Sequence, residues 1–179
     1  MRSVFAMVVL ALSVAGCGLG IAAGADYRPG TSFGGYTTYA WDDDAIRRGG
    51  DVRLENNPYF EEHLFVAVAS ALESRGIREA EADPDLLAHY HLSVEDHIEV
   101  YEADPASGYP PPRPGAPPGT EVVQYEEGTF ILHFVDARTG QNLWIGWAQG
   151  DIGRALTTSS AMEEWVDEAV ENMFELFPM

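Results

Sequence analysis

From Leu86 to Val100 the sequence alternates: Leu86, Ala88, Tyr90, Leu92 and Val94 fall on one side of an extended chain, and Leu87, His89, His91, Ser93, Glu95 and His97 on the other. Successive strand side chains point to opposite faces, so this segment belongs to a sheet with one buried and one open face. That constrains everything else, because the apolar side needs a cover. Two segments can supply it. Asn57 and Pro58 have cap and first-turn chemistry, Glu61 and Glu62 stand near the positive end of the dipole, and Gly76 closes the segment. Its stripe is Phe60, Leu64, Ala67, Val68, Ala71 and Leu72. A second helix opens with Ser160 and Glu163 at capping-box spacing and stops at Pro178. Its face is Met162, Trp165, Val166, Ala169, Val170, Met173, Phe174 and Phe177.

Three further strands complete the set. Phe33 to Trp41 is aromatic and threonine-rich, and Asp42-Asp43-Asp44 ends it. Gly128 to Asp136 alternates through Phe130, Leu132 and Phe134; the turn Ala137-Arg138-Thr139-Gly140 leads to a strand over Leu143 to Ala148. Residues 104–120 hold seven of the eleven prolines and read as an extended polyproline-type loop joining two strands. The order is strand, helix, three strands, helix. It predicts an α+β two-layer sandwich: a mainly antiparallel four-stranded sheet with both helices on one face. No internal repeat is present.

The amino terminus is a processing signal. Arg2 is followed by an apolar run from Val4 to Leu12 and then Val14-Ala15-Gly16-Cys17. This is the pattern of a bacterial lipobox, with cleavage between Gly16 and Cys17 and a diacylglycerol on the Cys17 thiol. The run is well short of the ~20 residues of a spanning helix. An ordinary signal cleaved near Ala11 to Ala15 is the alternative, but the only cysteine in the chain stands at the lipidation position. The expected organisation is a signal peptide over 1–16, a lipidated Cys17 with a flexible tether over 17–35, and one domain over 36–179. The tether is rich in Gly, Ala and Ser, and Asp26-Tyr27 begins the first strand within it. Gly18, not Asp, follows the cysteine, as in lipoproteins sorted to the outer membrane of Gram-negative cells. The expected location is the cell envelope, with the outer membrane holding the lipid and the domain facing the periplasm. With Cys17 lipidated no disulfide is possible, and the fold stands on packing alone.

Twenty-nine acids against ten basic residues give a net charge of −19, and every basic residue is arginine. Such a surface repels phosphate backbones, which excludes nucleic acid as a partner. It leaves membrane attachment to the lipid and favours cations or basic proteins. Solubility alone also accounts for it.

Tyr36-Thr37-Thr38-Tyr39-Ala40-Trp41 resembles the opening of the DUF4136 family, a domain of unknown function found in bacterial lipoproteins. Asp83-Pro84-Asp85-Leu86, Gly128-Thr129-Phe130-Ile131-Leu132 leading to Asp136, Leu143-Trp144-Ile145-Gly146-Trp147-Ala148 and the closing Phe177-Pro178 follow in the family's order. The resemblance spans Asp26 to Pro178 by landmarks. It implies an envelope-anchored α+β domain and carries over no catalytic residues.

The strongest cluster of potential ligands is the histidine face. His89, His91, Glu95 and His97 share one side of their strand, and His133 joins them from the neighbouring strand if the register allows. Imidazoles with a carboxylate suit zinc, copper or nickel, although no CxxC or HExxH spacing accompanies them. An exposed polar sheet face is the plainer reading. Asp42-Asp43-Asp44 lacks the alternating ligands of a calcium loop. No Gly-x-Ser-x-Gly elbow is present, and Ser159 and Ser160 serve as helix caps. Trp144 and Trp147 fall on opposite faces, so one belongs to the core and the other is exposed or packed under a loop; simple packing is the plainer reading, and a platform for a partner or glycan the alternative. The expectation is a non-catalytic interaction module of the envelope without a cofactor. The alternative is a metal- or small-ligand-binding lipoprotein using the His89/His91 face.

Overall fold

The computed structural model describes residues 20–42, 47–49, 51–55, 57–102 and 120–178. Cys17, the signal segment, Asp43, Asp44 and nearly all of the proline loop lie outside them. In chain order the elements are β1 (Ala22–Tyr27), β2 (Thr38–Trp41), β3 (Arg47–Gly49), α1 (Val52–Glu55), α2 (Pro58–Glu73), β4 (Arg78–Glu79), β5 (Leu86–Glu102), β6 (Thr120–Asp136), β7 (Asn142–Asp151) and α3 (Ser159–Phe174). Six strands form one sheet in the order β1-β7-β6-β5-β2-β4, and β3 adds a short pairing to β5.

The fold is α+β with its two long helices on one face, but the sheet has more than four strands and is mixed, its antiparallel core extended by short parallel pairings. The run β1-β7-β6-β5 is antiparallel, whereas β2 pairs parallel with both β5 and β4, and β3 parallel with β5. Parallel neighbours need a crossover, and the chain between β2 and β5 makes it through α2. The added strands escaped the sequence reading because β3 and β4 have only three and two residues. β1 was hidden in a stretch read as tether. Its Ala-Ala-Gly-Ala sequence has low strand propensity and is held by pairing with β7 from Ala22↔Gln149 to Tyr27↔Trp144.

Helix boundaries follow local chemistry. Asn57 caps α2, its side chain accepting from the N–H groups of Tyr59 and Phe60 at 3.1 and 3.3 Å. Gly76, at φ 84°, closes α2 in the left-handed region. At α3 the cap is Thr158, not Ser160: its hydroxyl accepts from Ala161 N–H at 3.2 Å.

The helix-facing side of the sheet is the one read from the alternation. Leu86, Ala88, Tyr90 and Leu92 are buried with Phe130, Leu132, Phe134 and Trp144. Phe60 and Phe65 of α2 reach Tyr90, while Phe174 of α3 reaches Phe134 and Trp144. The two tryptophans of β7 divide as expected: Trp144 is 0% exposed and Trp147 39%. Each needs a glycine beneath it. A Cβ on Gly146 would collide with the Trp144 ring, and one on Gly24 with the Trp147 ring.

Truncating a fully buried tryptophan loses transfer energy and leaves a cavity. Trp144→Ala is expected to cost about 3–5 kcal/mol in urea unfolding, and Trp147→Ala only about 1 kcal/mol. Equal losses would contradict this assignment of faces.

Candidate functional site

The open face of the sheet is built by β5, β6 and β7. His89 stands directly opposite His133, and His91 opposite Ile131. The His89 and His133 rings are 6.5 Å apart between centroids and 29° from parallel. Nε2 of His89 lies 3.4 Å from Asp42 Oδ2, without hydrogen-bond geometry. Asn142 Nδ2 donates to Nδ1 of His133 at 3.2 Å, which leaves the neutral ring's proton on Nε2. Burial, then the neighbouring His89 and His91, hold the His133 pKa below the ordinary histidine value. Leu87, Val135, Ile145 and Trp147 complete a half-exposed, partly apolar surface.

Glu95 and His97 belong elsewhere. His97 is eight residues along β5 from His89, about 26 Å at ~3.3 Å per residue. It stacks on Tyr125, with centroids 5.6 Å apart, and its Nε2 is 3.1 Å from Glu127 Oε1. Glu95 faces Glu127 across the ladder. The five residues read as one ligand set therefore form two separate groups. Among the described residues, no cluster of three or more His, Cys, Asp or Glu side chains is arranged to hold a metal ion. The alternation placed them on one face correctly; strand length separated them along it.

A second set of polar residues is brought together by the fold. The Asp85 carboxylate accepts from Thr37 N–H at 2.8 Å, Thr37 Oγ1 at 3.0 Å and Thr38 N–H at 3.1 Å. Asp85 N–H donates back to Thr38 Oγ1 at 3.0 Å. Beside it, Asp136 Oδ2 accepts from Tyr36 Oη at 3.0 Å, and Oδ1 accepts from Thr139 N–H and Oγ1 at 2.7 and 2.9 Å. These bonds favour the ionised forms and hold both carboxyls below the usual range. The donors close turns and tie β2 to β5, so this is a structural knot. Sequence reading picked out the motifs, but nothing in their spacing revealed that they meet.

On the far side of the helices, α2 and α3 leave a groove of about 550 Å³. His63 and Asp167 close over it at 3.0 Å. Arg75 spans the two helix ends, donating to Ala71 O at 2.8 Å and Phe174 O at 2.6 Å, with its guanidinium 5.1 Å from the Phe174 ring centre. Satisfying carbonyls at helix C-termini is a capping role. The hydroxyls of Thr37 and Thr139 donate to carboxylates, and those of Ser74 and Thr157 to backbone carbonyls. Ser159 and Ser160 lie in the first turn of α3.

Residues 24–179 match the profile of the family described as Domain of unknown function (DUF4136), and the chain belongs to that family. No activity is assigned to it. No curated protein matches the sequence. Among solved structures, a PDZ domain protein from Parabacteroides distasonis is similar in fold, with 16% identity and a TM-score of 0.52. The match covers 87% of this chain and 35% of that one, so this chain spans about a third of its length. A PelC dodecamer from Paraburkholderia phytofirmans matches with 11% identity and a TM-score of 0.47, over 89% of this chain and 99% of that one.

His133 binds its proton more weakly folded than unfolded. Its contribution to stability is complete above the ordinary histidine value of about 6.5 and falls as the pH drops below it. Denaturation midpoints measured between about pH 7.5 and 5.5 should decline, and His133→Gln should flatten that decline. An unchanged slope in the variant would remove His133 as its source.

Proposed function

We propose that this protein is a lipoprotein of the bacterial envelope, anchored through Cys17, that works as a non-catalytic interaction module. The observation that carries this reading is how soon the lipobox cysteine gives way to structure. Ile21 is 8% exposed and belongs to the core, and Asn172 Nδ2 donates to its carbonyl at 3.2 Å. Only Gly18, Leu19 and Gly20 separate it from Cys17. Four residue steps of at most ~3.6 Å hold the domain within about 15 Å of the lipidated residue.

In this reading the anchor is acyl, because the apolar run from Val4 to Leu12 is well short of the ~20 residues of a spanning helix. One chain binds marginally and reversibly, whereas two or more hold stably, and a bacterial lipoprotein carries three. The outer membrane is the favoured site because Gly18 follows the cysteine, with the domain facing the periplasm. The Asp85 and Asp136 carboxylates and the Thr37, Thr139 and Thr158 hydroxyls are engaged in turns and a helix cap, which supports binding over chemistry. The strong negative charge points to a protein partner and away from nucleic acid.

Mass spectrometry of protein extracted from native membranes tests the reading. The expected product begins at Cys17, lacks residues 1–16 and carries three acyl chains. Cys17→Ser should move the protein out of the membrane fraction. An unmodified thiol on a chain that retains residues 1–16 would overturn the anchor and the role inferred from it.

A further inference from the structure

Beyond Ser93 and Glu127 the central hairpin outruns its neighbours. β3 pairs with β5 only over His91, Leu92 and Ser93, and β7 ends at Asp151, opposite Glu127. The β5–β6 ladder continues regardless, from Val94↔Gly128 to Glu102↔Thr120. Beyond the last β7 pairing, Asp96↔Glu126 to Glu102↔Thr120 gives seven residues per strand, a two-stranded ribbon about 23 Å long at ~3.3 Å per residue. No described strand runs along either outer edge of it. Two strands alone are marginal in water, and their outer N–H and C=O groups are a template for another strand.

The root of the ribbon is fixed. Arg53 of α1 bonds Glu126 Oε2 at 3.2 Å and Asp51 Oδ2 at 2.6 Å. Ile152 N–H donates to Glu126 O at 2.9 Å. The ribbon leaves from the end of the sheet at which β1 begins, since Ala22 opposes Gln149 and Gln149 opposes Thr129. Its sequence is one-sided in charge. Residues 95–102 and 120–127 contain Glu95, Asp96, Glu99, Glu102, Glu121, Glu126 and Glu127 and no arginine. Ile98 stands 64% exposed among them.

These properties select an occupant. A second copy would align carboxylates against carboxylates, and like charges directly opposite destabilise a pair. Residues 104–120 hold seven prolines, which have no N–H to give a ladder. We propose that this ribbon is a docking arm that takes an extended, lysine- or arginine-rich segment of a partner protein as a third strand. Main-chain bonds along the edge supply affinity, and alternate basic side chains opposite the carboxylates supply selectivity. The proposal deepens the interaction role argued above. The anchor adds location: β1 begins at the same end, and a lipid on Cys17, a few residues earlier in the chain, would hold the arm near the bilayer.

The experiment uses the full chain extracted from membranes, with the mass at Cys17 read in the same sample. The probes are two short peptides alternating valine with lysine or with glutamate. The lysine peptide should bind and slow amide exchange along 94–102 or 120–126 by about tenfold or more. The glutamate peptide should do neither. The double variant Glu95→Gln, Glu99→Gln, which neutralises carboxylates on one face of β5, should weaken the lysine peptide by about tenfold. A control carrying Glu163→Gln, Glu164→Gln and Glu175→Gln on and after α3 should not. Binding without ribbon protection, equal weakening in the control, or protection that rises with protein concentration in the absence of peptide would each overturn the arm. An unmodified Cys17 with ribbon protection intact would overturn the anchor alone.

Discussion

The ladder between β5 and β6 is the interaction on which the rest depends. It pairs Leu86↔Asp136 through Glu102↔Thr120 without interruption. A slip of one residue would move Tyr90, Leu92, Phe130 and Phe134 from the core to the open face. Because the register holds, a single decision places every core side chain of both strands under α2 and α3. The same decision leaves His89, His91 and His133 on the side that no described helix covers. Neighbouring strands then attach to a surface whose faces are already defined. The one irregularity, a bulge between Phe134 and Val135, falls where β6 meets β7 and not within the central pair.

The family landmarks acquire a physical meaning once folded. Tyr36, Thr37 and Thr38 come from one motif, Asp85 from a second and Asp136 from a third. Space brings them together as two adjacent carboxylates, each satisfied by hydroxyl and backbone donors. Such charge-assisted bonds are about twice as strong as neutral ones. They staple β2 against the start of β5 and close the turn after β6. These side chains therefore hold the parallel part of the sheet to its antiparallel part.

Length is what divides the open face. A strand of seventeen residues carries side chains on one face over far more distance than any ion can bridge. His89 and His133 come close enough to depress a proton affinity; Glu95 and His97 join a different, acidic neighbourhood around Glu127. That neighbourhood is the root of the ribbon, and the ribbon and the entry of β1 share one end of the molecule.

Sequence by itself settled what depends on neighbours a few residues apart. The period of two over Leu86–Val94, the period of 3.6 over Phe60–Leu72 and Met162–Phe174, the Asn57 cap and the Gly76 stop were all legible, although the helix ends at Phe174 and Phe177 joins the core from beyond it. So was the division of Trp144 and Trp147 between faces, because local sterics and alternation decide these things. Tertiary structure decided what needs distant partners. β1 is a strand because β7 offers it an edge, despite a weak Ala-Gly sequence. β2 lies parallel to β5 because α2 carries the chain across. Thr158 displaces Ser160 as the cap by a two-residue shift in where α3 begins. The convergence of Tyr36, Thr37 and Thr38 on Asp85 and Asp136, and the failure of the five potential ligands to converge, are both consequences of register and length, which no local pattern encodes.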